Sequence, residues 1–137
     1  MNKRGEIVIV DDDSDDLEMF SEVIKELKID NKPLCFTQAA EALEYLRKVD
    51  SDPFFIISDY RMPIINGLEL KQMIYTDENL IKKAIPFILY SVTIDNQAFN
   101  MALSIGVQGF FVKPAKFGDL KKKLGCIHEY LCSCFGN

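Results

Sequence analysis

Four short apolar runs, each ending on a charged or hydroxylated residue and each separated from the next by a helix-like stretch, constrain this chain most. Ile7 to Val10 runs into Asp11-Asp12-Asp13, Phe54 to Ser58 into Asp59, Pro86 to Tyr90 into Ser91, and Gly109 to Val112 into Lys113-Pro114. Runs of this length, rich in β-branched and aromatic residues, read as strands buried on both faces, the pattern of a parallel sheet covered by helices. In such sheets ligands sit at the carboxyl ends of the strands. The sequence therefore predicts carboxylates, a hydroxyl and an ammonium collected at one edge of one sheet, the inventory of a metal-dependent phosphoryl site.

The intervening segments carry helical spacing. Asp13 or Ser14 is placed to cap a helix with apolar positions Leu17, Phe20, Ile24 and Leu27. After the break at Asp30 to Pro33, Leu34 to Thr37 predicts a short second strand, and Ala39, Ala42, Leu43 and Leu46 mark a second helix face that ends before Ser51-Asp52-Pro53. Asn66-Gly67 precedes a third helix with Leu68, Leu70, Met73 and Ile74, and Asp77 to Lys83 reads as a polar connection. Asp95 or Asn96 opens a fourth helix with Phe99, Ala102 and Leu103. The fifth carries a seam of Phe117, Leu120, Leu124, Ile127 and Leu131 opposite Lys121, Lys122 and Lys123. Alternation of this kind predicts an α/β fold with helices on both faces of a parallel sheet.

At 137 residues the chain predicts a single domain, 1–137, with its core over about 5–131 and a short C-terminal tail over 132–137. A net charge of −5, with no Arg/Lys cluster that suggests a phosphate-backbone footprint, argues against nucleic acid as a partner. The apolar stretch after Lys3-Arg4 is too short for a signal peptide, and no run is long enough for a bilayer, so the expected location is cytoplasmic, away from membranes. In that reducing compartment Cys35, Cys126, Cys132 and Cys134 are expected to be free thiols.

Taken singly, each polar feature has an ordinary structural role. Three aspartates before a helix complement its dipole, Lys113 suits a surface position before a proline, and Ser91 alone carries no signal. Asp59 changes the balance, because carboxylates at two neighbouring strand ends repel one another unless a cation joins them. A divalent ion held by Asp12 and Asp59, by Asp11 through water, and by a backbone carbonyl suits oxygen-seeking Mg²⁺.

In order along the chain, Asp11-Asp12, Asp59-x-x-Met62-Pro63 with Gly67 following, Ser91 and Lys113-Pro114 resemble the receiver domain of two-component response regulators, in its stand-alone, chemotaxis-regulator-like form. The resemblance covers roughly residues 5 to 131. It implies a three-layer flavodoxin-like fold with a five-stranded parallel sheet in the order 2-1-3-4-5, flanked by five helices. It implies Asp59 as phosphoacceptor, Asp11, Asp12, Asp59 and the Arg61 backbone carbonyl as Mg²⁺ ligands, Ser91 and Lys113 as the groups that meet the phosphoryl oxygens, and Phe110 with Ser91 as the switch pair. It also implies a sensor histidine kinase or histidine phosphotransfer protein as donor and a downstream protein as target. A homodimer face is expected on the fourth helix, fifth strand and fifth helix, where Ile94, Met101 and Ile105 are divided between core and interface. The only chemistry expected of the chain is its own phosphorylation and dephosphorylation.

Several positions depart from that family's pattern. Val92 follows Ser91 where the family usually has alanine or glycine, and its bulk is expected to narrow access to Asp59. Arg61 and Thr93 occupy the two variable positions that tune acyl-phosphate lifetime, and Phe110 lacks the phenolic hydroxyl of the more usual tyrosine. The connection from Asp77 to Ala84 is longer than in the smallest receivers and is similar to that of stand-alone receivers partnered with phytochrome-type and other sensor kinases.

Three other readings compete. An aspartyl-phosphate phosphatase of the haloacid dehalogenase type matches Asp11 and Asp13, but Asp15 stands where Thr or Val is required, and there is little room for a cap. A flavodoxin fails because the loop after the first strand is acidic where a phosphate must be cradled. A receiver-like module that binds partners without phosphorylation is opposed by retention of every site residue and kept open by Val92. Cys126, His128, Cys132 and Cys134 have partial zinc-ligand spacing, but reduced thiols are the expected state.

Overall fold

Backbone register builds the sheet from the middle outward. The computed structural model describes residues 1–134 and 136. In it β1 (Ile7–Val10) pairs on one side with β2 (Pro33–Phe36) and on the other with β3 (Phe55–Asp59). Beyond β3 lie β4 (Phe87–Ser91) and β5 (Gly109–Val112), completing a parallel sheet in the order β2-β1-β3-β4-β5. This is the flavodoxin-like order that the resemblance to receiver domains implies.

Because successive side chains on a strand point to opposite faces, the buried strands divide their residues between two cores. Val8, Val10, Ile56, Phe87 and Leu89 pack with residues of α2 (Ala39–Leu46), α3 (Gly67–Thr76), α4 (Glu78–Lys83) and α5 (Asn96–Ser104). Ile7, Ile9, Ile57, Ile88 and Tyr90 pack with α1 (Ser14–Glu26) and α6 (Phe117–Ser133). The seam predicted for the last helix is observed: Leu120, Leu124 and Leu131 are buried, with Phe117 and Ile127 partly so.

The caps follow residue chemistry. Asp13 caps α1 by accepting from Asp15 N–H at 2.9 Å, and Asp95 caps α5 by accepting from Ala98 N–H at 2.7 Å. Asn66 and Glu69 form a reciprocal capping box at the start of α3, with bonds of 2.8 and 2.9 Å.

Among the described residues six helices flank the sheet, where the sequence predicts five. The additional one is α4, within the segment read as a polar connection. Asp77 caps it by accepting from Asn79 N–H at 2.9 Å and Leu80 N–H at 3.0 Å, and Leu80 is buried beneath it. Six residues with one buried position are too short to show periodicity, which is why the pattern reads as a loop. Lys83 then ties α4 to the end of α2, donating to Leu46 O, Lys48 O, Ser51 O and Ser51 Oγ at 2.6 to 3.0 Å. The fourth and fifth helices of the sequence reading are thus α5 and α6.

One further expectation is corrected. On α5 the buried residues are Ala98 and Ala102, while Phe99 and Leu103 are exposed, because small side chains let the helix sit close to the sheet. Of the residues divided between core and interface, Ile105 is buried, Ile94 is half-buried and Met101 is exposed. The tail expected over 132–137 is helical through Ser133, since the seam to Leu131 keeps α6 docked; Phe135 and Asn137 lie outside the described residues. No helix among the described residues is long and apolar enough to cross a membrane.

Candidate functional site

Register and alternation together assemble the site. Val10 pairs with Ser58, so the next step along β1 sets Asp11 beside Asp59, the last residue of β3. Asp59 in turn pairs with Tyr90, and Tyr90 with Phe111. Counting by twos along each strand puts Asp11, Asp59 and Tyr90 on the α1/α6 face, and Ser91 and Phe110 on the other. Asp12, one residue past Asp11, is exposed at the rim. Carboxylate oxygens of Asp11, Asp12 and Asp59 all lie within 4.8 Å of one another.

Asp11 is fully buried and held at both oxygens: Oδ1 accepts from Asp13 N–H at 2.9 Å and Oδ2 accepts from the Tyr90 hydroxyl at 2.6 Å. Burial pushes its pKa up from 3.8 to about 7; these two hydrogen bonds oppose the rise, and the charges of Asp59 and Asp16 add to it. Burial also raises Asp59, against the opposing pull of the Arg61 N–H, which it accepts at 3.2 Å, and of the Lys113 charge. Together the Asp11, Asp12 and Asp59 carboxylates form an all-oxygen donor set that suits a hard divalent cation.

The Asn66-Gly67 turn supports Asp59 from beneath. Gly67 N–H donates to Tyr60 O at 2.9 Å, and a Cβ at position 67 would collide with the Asp59 carbonyl and stand 2.7 Å from Leu89 Cδ2. Only glycine permits this approach of α3 to the end of β3.

The remaining predicted residues surround the cluster. Lys113 N–H donates to Ser91 O at 2.8 Å, and its ammonium is paired with the Asp16 carboxylate in the first turn of α1. Ser91 Oγ is fully buried and, among the described residues, has no hydrogen-bond partner. Phe110 is half-buried, with its ring edge-on to Tyr60 at 5.8 Å and tilted against Phe99 at 6.4 Å between centroids. The Arg61 guanidinium reaches Thr93 Oγ1 at 3.4 Å and lies 5.5 Å from the Tyr60 ring centroid. Val92 is 71% exposed at the same edge.

Two residues of this neighbourhood escape sequence reasoning. Tyr90 reads as one more apolar strand residue, although its parity with Asp59 across paired strands is the signal that could have found it. Asp16 belongs to none of the motifs read from the sequence, and only the folded chain brings it to Lys113. At the other end of α6, Cys126 is exposed, and Cys132 Sγ lies 3.6 Å from His128 Nε2. Among the described residues, no group of three metal-ligating side chains forms there.

Residues 7–125 match the family profile described as the response regulator receiver domain. Chemotaxis protein CheY-3 of Vibrio cholerae serotype O1 is 33% identical over 135 residues, spanning 96% of this chain and 97% of the relative. Among solved structures, the phosphorylated cyanobacterial phytochrome response regulator RcpA superposes with a TM-score of 0.84 at 24% identity, covering 95% of each chain. The Mn²⁺-bound form of response regulator Rcp1 superposes at 0.82 with 21% identity, covering 96% of this chain and 97% of the other. At these identities the two structures show a common fold.

Proposed function

This chain belongs to the response regulator receiver domain family, and from that premise we propose that it accepts a phosphoryl group from a phosphohistidine onto Asp59 and signals through protein contacts or onward phosphotransfer. The observation that carries this reading is the convergence of the Asp11, Asp12 and Asp59 carboxylates within 4.8 Å at the carboxyl ends of β1 and β3.

Asp59 is fixed at two points, its carboxylate accepting from the Arg61 N–H and its backbone carbonyl closely approached by Gly67. It attacks phosphorus in line, forming the acyl phosphate while the donor's P–N bond breaks and its electron pair leaves with the imidazole. Asp11, Asp12 and Asp59, with the Arg61 backbone carbonyl, are the groups we assign to Mg²⁺, which when bound offsets charge on the phosphoryl oxygens. Lys113 supplies the second positive charge. The Ser91 hydroxyl supports a further role: among the described residues it is a buried donor with no acceptor, and phosphoryl oxygens at the neighbouring strand end would supply one.

Movement of Ser91 toward the phosphoryl group vacates space on the face that Phe110 shares, and Phe110, half-buried between Tyr60 and Phe99, moves inward. The expected readout surface is α5, β5 and α6, available to a downstream protein or to a second copy of the chain. The donor is a sensor histidine kinase or a histidine phosphotransfer protein. The chain acts only on its own phosphoryl state, and Val92 slows entry of small donors.

Intact mass after incubation with acetyl phosphate or a phosphorylated histidine kinase tests the reading, with and without Mg²⁺, on the parent and on Asp59→Asn. A Mg²⁺-dependent gain of one phosphoryl group that Asp59→Asn abolishes is expected. A folded, Mg²⁺-binding parent that gains nothing from either donor leaves only a phosphorylation-independent binding module.

A further inference from the structure

The ammonium assigned to the phosphoryl group is already engaged elsewhere. Lys113 is paired with Asp16, and both side chains are largely withdrawn from solvent, at 18% and 17% exposure. The pair therefore has less water to screen it than a surface ion pair. Asp16 belongs to the first turn of α1, whose cap is fixed by Asp13, so its carboxylate is anchored by the helix. Its charge is also felt by Asp11 and Asp59, which places it at the margin of the same electrostatic field.

We propose that Asp16 is a latch on Lys113: it holds the ammonium in the unphosphorylated protein and must surrender it when phosphoryl oxygens arrive at Asp59. This deepens the proposed function and rests on it. One ammonium has a limited set of donors and one position at a time, so every contact it makes with Asp16 is a contact withheld from the phosphoryl group. Asp16 thus favours the unphosphorylated state through a differential contact. That sets how strongly a phosphoryl group must bind, and it returns Lys113 to its resting place on dephosphorylation. The neighbouring Asp15 carries the same charge but is exposed, and it caps nothing and pairs with nothing among the described residues.

The test uses beryllofluoride, a non-covalent phosphoryl mimic, bound in the presence of Mg²⁺ and followed by calorimetry. Four full-length proteins form a double-mutant cycle: the parent, Asp16→Asn, Lys113→Met and the double variant. Asp16→Asn is expected to tighten binding roughly three- to tenfold, the scale of a partly buried ion pair no longer competing. In the Lys113→Met background the same substitution is expected to change nothing, and Asp15→Asn is expected to leave the parent's affinity unaltered. Equal tightening in both backgrounds, or tightening by Asp15→Asn as well, would reduce Asp16 to a general field effect and overturn the latch. Unchanged or weaker binding by Asp16→Asn overturns it too, with Asp16→Ala as the second variant should the first fold poorly. A parent that binds no beryllofluoride and takes no phosphoryl group from acetyl phosphate defeats the phosphoacceptor reading itself, and the latch with it.

Discussion

Tyr90 and Asp11, 79 residues apart in sequence, meet in a 2.6 Å hydrogen bond inside the α1/α6 face of the sheet. The phenol of Tyr90 is wedged between Phe20, at 5.1 Å between centroids, and Phe111, at 5.7 Å, so its hydroxyl has little freedom to look elsewhere. A carboxylate with no exposure to water is thereby given a second donor and a fixed plane, which prepares it to face a cation with its neighbours Asp12 and Asp59.

Tyr90→Phe keeps the ring and removes the donor. Loss of a hydrogen bond to a buried charged group costs about 1.5–3 kcal/mol. Urea denaturation well above the Asp11 pKa of about 7, where the carboxylate is charged, should show a loss on that scale. Divalent-cation titration by calorimetry should show weaker binding, since Asp11 would then be held at one oxygen only.

The pH dependence has a definite sign. The Asp11 pKa is pushed above its unfolded value of 3.8 to about 7, principally by burial, so its contribution to stability is fully present below 3.8 and is lost as pH rises through about 7. In the presence of a chelator, the denaturation midpoint of the parent should fall relative to that of Asp11→Asn between about pH 5 and pH 8. Cation affinity should rise over the same interval, because proton and metal compete for one carboxylate. A parent and Asp11→Asn that track one another across the range would contradict both statements.

Gly67→Ala introduces a Cβ against the Asp59 carbonyl and Leu89. Relief requires α3 or the end of β3 to shift, and strain of this kind costs about 1–3 kcal/mol. The variant should be less stable and, because the displaced residue is Asp59 itself, should take up phosphoryl from acetyl phosphate more slowly even at saturating Mg²⁺. Normal uptake by a destabilised variant would show that the contact is structural only.

Lys83→Met separates stability from chemistry. The ammonium donates to three carbonyls and a hydroxyl at the end of α2, and its removal takes the donor from the Ser51 carbonyl, while Ser51 Oγ keeps its bonds to Leu46 O and Lys48 O. A loss of about 1–3 kcal/mol in urea denaturation is expected. Phosphorylation of the folded variant should be unchanged, since Lys83 lies among α2 and α4 and not among the site residues.

Much of the fold and of the cluster is legible in the sequence. The apolar runs specify five strands, of which the structure buries the central three and leaves the edge strands β2 and β5 partly exposed; the helical spacing between them specifies parallel crossovers, and the residues ending the runs specify which groups meet at the edge. Asp11, Asp12, Asp59, Ser91 and Lys113 can be picked out because a parallel sheet brings every strand's carboxyl end to the same side. The short helix α4 is not legible, because six residues around one buried Leu80 and an Asp77 cap carry no period; it is held by Leu80 in the core, by packing on α3 and by the bonds of Lys83 to the end of α2. Exposure on α5 is likewise decided by packing, since Ala98 and Ala102 approach the sheet more closely than the larger Phe99 allows.

By itself, the sequence determined the order of elements, the acidic edge and the family, because these depend on local pattern and on where each strand ends. Only the tertiary structure decided which side chains share a partner. Tyr90 on Asp11, Asp16 on Lys113 and Lys83 on the end of α2 are pairings between distant segments. Their geometry is set by strand register and helix docking, and no spacing along a chain encodes the distance between two elements that meet only once it has folded.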